Sequence, residues 1–332
     1  MKGAVARRRA RAGAVLLAIA LVIGAPRSPA SQPDTRIPWI GYLANEPTPD
    51  SATVLRDSLR ERDWVDGRSI KVWHRYVQGK PELYQQHAED LVRLNVAVIV
   101  AVGAQAIAAA RQATKTVPIV MVTFDDPVAA GLTREPANPE TNLTGLTTFA
   151  PELSAPRLDL LRQVVPTLTR AVVLWSSVGA SGAADLRAAQ AAAKARGVEL
   201  TPIEITAESE VREALDQIGK SHPQGLIVLA DSITLAHRQR LATFTSRGKL
   251  PAVFPSRDFA DAGGLLAYGA NWTDVFRQAA ELVDRLLRGA KPSELGIRRA
   301  SRFELVVNLR AARAIGVKVP SSLLQRADRV IE

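Results

Sequence analysis

The stretch from Val96 to Ala113, VAVIVAVGAQAIAAARQA, constrains the fold more than any other. Its first seven residues are apolar and five of them are β-branched. A run of that kind predicts a strand buried on both faces, as in a parallel sheet. Gly103 breaks the run, and residues 104–113 are strong helix formers. A buried strand, a glycine turn and a helix start make half of a βαβ unit. The backbone N–H groups at such a helix start aim at whatever lies above the strand end.

The same unit recurs along the chain. Strands are predicted at 39–43, 70–76, 96–102, 117–122 and 142–149, and again at 171–175, 200–205, 226–229, 250–254 and 263–268. Helices are predicted at 52–62, 81–94, 104–113 and 154–165, then at 183–196, 208–218, 236–247 and 272–288. A last strand at 303–308 and a helix at 309–315 follow, and Pro320 onward reads as a short tail. Landmarks in the two halves keep nearly one offset. Trp39 and Val172 are 133 residues apart, Gly67 and Gly197 130, Val98 and Leu226 128, and Pro118 and Pro251 133. A constant offset points to an internal duplication. The expected fold class is α/β, with two doubly wound, Rossmann-like lobes facing each other across a hinge cleft.

With 332 residues the chain is long enough for two such lobes. Residues 1–30 differ in kind. Arg7, Arg8, Arg9 and Arg11 form a basic head, the 14 residues from Ala12 to Ala25 are apolar, and Ser28-Pro29-Ala30 supplies small residues before a cut. This pattern is that of a secretory signal peptide cleaved after about Ala30, and its apolar run falls short of the ~20 residues that span a bilayer. The formal charge of +10 falls to +4 once the six basic residues of that leader are set aside. So small an excess does not suggest a nucleic-acid partner. The chain has no cysteine, which excludes disulfides, thiolate chemistry and a lipid anchor on a new N-terminal Cys. Export without an anchor points to the periplasm.

Ligands of doubly wound sheets bind outside the carboxyl ends of the strands. The residues predicted there are Asn45, Gly103, Ala104, Gln105, Thr123, Asp125, Asp126, Trp175, Ser176, Ser177, Asp231, Ser232, Ser256 and Tyr268. The set is polar, small and aromatic, which suits a small solute with hydrogen-bonding groups and a flat or apolar part. The helix start at Gly103 to Gln105 could take a carboxylate, and Asp125 or Asp126 an amine or hydroxyls. No nucleophile elbow, phosphate loop or dinucleotide fingerprint is present, and the four histidines are scattered. No catalytic residue, metal ligand or cofactor is therefore expected.

Several segments carry a resemblance. They are D-P-V at Asp126 to Val128, N-x-T-G-L-T at Asn142 to Thr147 and A-P-E-L at Ala150 to Leu153. Two longer ones are D-F-A-D-A-G-G-L-x-x-Y-G at Asp258 to Gly269 and F-E-L-V-V-N-L-x-x-A-x-x-I-G-V-x-V-P at Phe303 to Pro320. Together they resemble the ABC transporter substrate-binding proteins of the tryptophan/tyrosine-type group, with the type I periplasmic binding protein fold. The chain departs from that pattern at Trp175-Ser176-Ser177 and at Asp125. The resemblance implies three segments crossing between the lobes. One lobe would comprise 37–149 with about 271–300, the other 150–270 with about 301–332. It also implies an amino-acid-like or organic-acid-like solute in the cleft, an ABC permease as partner, and a monomer. Two rival readings are a ligand-sensing domain for a membrane receptor and a two-lobed, transferase-like enzyme. If residues 1–30 are the leader, N-terminal sequencing of the exported protein is expected to start at Ser31.

Overall fold

The structure, a computed structural model, describes residues 37–46, 49–139 and 142–332. The predicted leader lies outside these residues. At the heart of the opening stretch, Val98–Val102 is a strand whose side chains alternate between two cores. Val98 and Val100 join Leu55, Leu59, Phe276 and Val283 on one face, and Ile99 and Ala101 join Leu91, Ala106 and Ile107 on the other. This period of two, apolar on both sides, is what a strand covered by helices on both faces requires.

In chain order the strands are β1 (Trp39–Ala44), β2 (Lys71–Tyr76), β3 (Val98–Val102), β4 (Ile119–Thr123), β5 (Leu143–Thr147), β6 (Arg170–Ser176) and β7 (Glu199–Ile205). They continue as β8 (Leu226–Val228), β9 (Ala252–Phe254), β10 (Leu266–Ala270), β11 (Ile297–Arg299), β12 (Phe303–Asn308) and β13 (Arg329–Ile331). Two sheets result, ordered β11-β5-β4-β3-β1-β2 and β13-β12-β10-β9-β8-β6-β7. The order β2-β1-β3-β4-β5 in the first is repeated as β7-β6-β8-β9-β10 in the second, with parallel pairing throughout these strands. The paired prolines play the same part in each sheet. Pro118 O accepts from Ile99 N and Pro251 O from Leu226 N, both at 2.9 Å.

The second sheet is also covered on both faces. Ala171 and Val173 pack with Leu158, Leu161 and Ala189, while Val172 and Leu174 pack with Val211, Leu215 and Leu241. Each sheet and its covering helices form one lobe. The amphipathic helix Trp272–Leu287 follows a strand of the second sheet yet packs on the first, through Val275, Phe276, Ala279 and Val283. At about 1.5–3 kcal/mol for each large apolar side chain fully buried, this face ties the helix firmly to that lobe. The chain leaves the first sheet after β5 for β6 of the second, returns after β10 through the helix Trp272–Leu287, and goes from β11 to β12 of the second. Asn271 N donates to Arg302 O at 2.9 Å, and Arg299 pairs with Glu152 at 2.9 Å, so these crossings brace one another.

Several expectations are corrected. The tail after Pro320 holds a helix, Ser321–Arg326, and β13, which lies parallel to β12. Such short pieces have no periodicity to read. The helix predicted at 236–247 is two helices, Ser232–Ala236 and Arg238–Arg247, meeting at His237. Strand β11 and the helix Arg257–Asp261 were absent from the sequence reading, and each is five residues or fewer. β12 runs antiparallel to β10, against the otherwise parallel pairing of its sheet.

Gly269 closes one of the quoted motifs near the middle crossing. A Cβ there would lie 1.7 Å from the Pro255 carbonyl oxygen, in backbone that cannot step aside. Gly269→Ala is expected to destabilise the protein by roughly 3 kcal/mol, read from denaturant melts.

Candidate functional site

The carboxyl ends of both sheets face each other, and the gap between them is a cavity of about 410 Å³. The first lobe contributes its apolar wall: Tyr42 from β1, Tyr84 from the helix Leu83–Arg93, Phe124 beyond β4, and Trp272 and Phe276 from the returning helix. Trp272 meets Phe124 edge-on at 5.3 Å between ring centroids and stacks on Phe276 at 5.8 Å. The second lobe contributes polar groups, among them Thr206, Glu208, Ser232, Arg257 and Asp258. The Tyr42 hydroxyl lies 3.2 Å from the Ser51 hydroxyl, and burial pushes its pKa well above the ordinary phenol range. Burial, with Glu208 nearby, pushes Tyr84 up to about 12. Both tyrosines therefore stay neutral and act as aromatic surface with a hydrogen-bonding tip.

The helix Ala104–Ala113 starts at this cavity. Gly103 precedes it at φ 92°, a left-handed angle that favours glycine, and no side chain caps the helix. Its first-turn amides and dipole present a partial positive charge to the gap. Ala104 and Gln105 also line a second cavity of about 210 Å³, with Asp125, Ser176 and Asp231.

The lobes touch directly beside these spaces. Ser181 N donates to Asp125 Oδ1 at 3.1 Å, and Asp126 N donates to Ser181 Oγ. A Cβ on Gly179 would lie 2.7 Å from Asp125 Oδ1, so glycine there lets the carboxylate approach. At the rim Arg238 Nη1 donates to Glu46 Oε1 at 2.6 Å. These contacts describe a cleft in its shut form.

Of the predicted site residues, the structure brings Asn45, Gly103, Ala104, Gln105 and Ser232 to the main cavity, and Asp125, Ser176 and Asp231 to the second. Six others line neither. Thr123 is buried at the end of β4, where its hydroxyl donates to Asp125 Oδ2 at 3.2 Å. Asp126 accepts from the amides of Val128 and Ala129 at 2.8 and 3.0 Å. Trp175 and Tyr268 pack sideways on the second sheet's core, and the Tyr268 carbonyl accepts from Arg157 Nε at 2.8 Å. Ser177 is exposed, and Ser256 is buried with its hydroxyl 3.0 Å from Asp258 Oδ2. The cause is common to the strand residues among them. Side chains within a strand point to the sheet faces, and those of Trp175 and Tyr268 turn to the face covered by helices.

Sequence reasoning missed the aromatic wall. The one available signal was the spacing of Trp272 and Phe276, a single helical turn at the start of an amphipathic helix. Their approach to β4 depends on that helix returning to the first sheet.

A fold of two like lobes with a ligand-sized gap between facing strand ends defines a cleft-binding class of protein. The comparisons agree with that class. The family model described as ABC transporter substrate binding protein matches residues 50–331. A "Tyrosine-binding protein" of Clostridioides difficile (strain R20291) is 23% identical over 282 residues, covering 84% of this chain and 80% of its own length. Among solved structures, an ABC domain in complex with L-Trp from Streptococcus pneumonia has a TM-score of 0.81 at 21% identity, covering 89% of this chain and 100% of that one. A ligand-free, open substrate-binding protein with adhesive properties from Clostridium difficile has a TM-score of 0.66 at 21% identity, covering 89% and 99%. The chain belongs to the ABC transporter substrate-binding protein family.

Asp185, in the first turn of the helix that follows Ser181, is buried close to Arg157 and Asp125. Burial pushes its carboxyl up to about 6, Arg157 opposes the shift, and Asp125 adds to it. The folded protein thus holds a proton that the unfolded chain has released between the ordinary carboxylate value of 3.8 and about 6. Stability from this group falls as pH rises through that window. Asp185→Asn is expected to gain on the wild type by on the order of 3 kcal/mol between pH 4 and pH 8, measured as the change in their stability difference.

Proposed function

We propose that this protein is the periplasmic receptor of an ABC uptake system, taking an aromatic solute of amino-acid or organic-acid type without changing it chemically. The observation that carries the reading is the pairing of an aromatic wall with an uncapped helix start in one closed gap. Tyr42, Phe124, Trp272 and Phe276 suit a flat ring, and the amides beyond Gly103 suit a carboxylate. The tyrosine-binding and L-Trp-complexed relatives support this class of solute.

The lobes would be residues 37–149 with about 271–300, and 150–270 with about 301–332, turning about the three crossings. Solute bridging the lobes would favour the closed form by differential binding, a hinge transition. The closed monomer would then deliver its solute to the permease. A micromolar Kd, about −8 kcal/mol, suffices for capture and release.

A thermal-shift screen of aromatic amino acids and aromatic acids tests this reading. A true ligand at a hundredfold its Kd adds ~2.7 kcal/mol to stability, a rise of several degrees in Tm. Trp272→Ala is expected to weaken that ligand by ~2 kcal/mol, roughly 30-fold by calorimetry. Small-angle scattering that shows no compaction with a calorimetrically confirmed ligand would count against hinge closure.

A further inference from the structure

Of the contacts between the lobes, the one that joins Asp125 to Ser181 is buried, with the two residues 6% and 3% exposed. Asp125 lies just beyond β4 of the first lobe, and Ser181 stands at the start of the helix Gly182–Ala195 in the second. Hydroxyls of the first lobe fix Asp125 without help from the second. Its amide donates to Thr123 Oγ1 at 3.1 Å, its carbonyl accepts from Thr147 Oγ1 at 2.6 Å, and its Oδ2 accepts from Thr123 Oγ1 at 3.2 Å. Oδ1 is left to reach across the cleft, where it accepts from Ser181 N at 3.1 Å. Ser181 does not cap its own helix with its side chain; its hydroxyl accepts from Asp126 N instead. The carboxylate thus arrives at the positive end of a 14-residue helix, already oriented.

The contact also has an electrostatic cost. Shutting the cleft brings Asp125 toward two carboxylates of the second lobe, Asp185 and Asp231. Burial raises the pKa of both, and the charge on Asp125 raises them further. The other charges acting on Asp185 are Arg157, from the helix Ser154–Val164, which lowers it, and Glu152, from the turn Pro151–Leu153, which raises it. On Asp231 the one neighbouring charge is Asp125, and the amides of Ile233 and Ser232 and the Ser176 side chain hydrogen-bond to it. Arg157 and Leu153 pack with the second sheet's helices, so opening leaves Arg157, Glu152, Asp185 and Asp231 together and takes Asp125 away. The open form then binds fewer protons than the shut one. The shut form loses ground as pH rises through the value of about 6 that Asp185 reaches.

We infer that Asp125 is a latch between the lobes: it keeps a measurable share of solute-free molecules shut, and that share falls as the medium becomes more alkaline. The inference rests on the hinge closure proposed above and not on the identity of the solute. Asp125 is a position at which this chain departs from the family pattern, so the latch belongs to this chain. The amine or hydroxyls expected from sequence at Asp125 or Asp126 give way to partners within the protein. Ser181 meets Asp125 Oδ1 and the Asp126 amide, and Asp126 Oδ1 accepts from the amides of Val128 and Ala129.

The chain has no cysteine, so Lys80→Cys and Arg212→Cys, at exposed positions of the first and second lobes, take spin labels at those two sites alone. Pulsed electron-resonance distances between the labels, without solute, give the shut-to-open ratio at pH 5 and pH 8, on either side of about 6. The ratio is expected to fall between them by up to roughly 10-fold, the scale of one pKa unit. Asp125→Ala should lower the ratio at pH 5 by about 10-fold, the scale of a charge-assisted hydrogen bond. Asp125→Asn keeps an acceptor for Ser181 N and can donate to Thr123 Oγ1, but carries no charge, so its ratio should change little between the two pH values. That variant preserves the local hydrogen bonds and gives its answer even if Asp125→Ala does not fold. Three results would each overturn the latch: no shut population in the wild type, the same ratio in Asp125→Ala, or as steep a fall with pH in Asp125→Asn. Rejection of every aromatic solute in the thermal-shift screen would overturn the aromatic-solute reading and leave the latch standing, since its measurement uses no solute.

Discussion

Burial of parallel strands on both faces is the constraint from which the rest of the molecule follows. Val98 to Val102 and Ala171 to Leu174 feed cores on both sides of their sheets, so helices must cover both faces. Backbone polar groups of the inner strands are paired with neighbours on both sides, and that pairing ends where the chain leaves the sheet. Those edges are where amides, hydroxyls and carboxylates can face a guest. Two copies of the pattern, set edge to edge, make a gap whose walls belong to different parts of the chain.

The division of labour across that gap is physical. Rings from one lobe remove apolar surface from water, a gain that depends little on direction. Among the groups that do depend on direction, Ala104, Gln105 and Ser232 border both cavities, and Asp231 lies in the smaller. Closure itself rests on few contacts: Ser181 with Asp125 and Asp126, and Arg238 with Glu46. Glu46 and Arg238 are both partly exposed, at 36% and 24% of their side chains, so water screens this pair and its strength is modest. Carboxylates gathered near the Ser181 contact oppose it. A shut form held by small opposing terms is one that a bridging solute can favour decisively.

Much of the fold was legible because its units are local. The helix Ala104–Ala113 and strand β12 keep their predicted bounds, and the repeat offset of about 130 residues reappears as the same strand order in both sheets. β11, β13 and the helix Arg257–Asp261 escaped, since a period cannot show in so short a span and no repeat landmark marks them. At the site, Asn45, Gly103 and Asp231, past the ends of their strands, reach a cavity, whereas Asp126 and Ser256, also past them, are held in local hydrogen bonds and Ser177 faces solvent. Those still within the ladder, Trp175 and Tyr268, reach neither cavity, because the pleat turns them into the helix layer.

The sequence by itself determined the alternation of doubly buried strands and helices, the duplication, and hence the edges at which a solute is met. These depend on side chains within a few residues of one another. Which of the strand-end groups share a cavity was decided by the tertiary structure alone. Trp272 joins Phe124 because a helix returns to the first sheet, and Glu46 meets Arg238 across 192 residues of chain. Such meetings depend on how two packed lobes are turned toward each other, and no local period in the chain records that rotation.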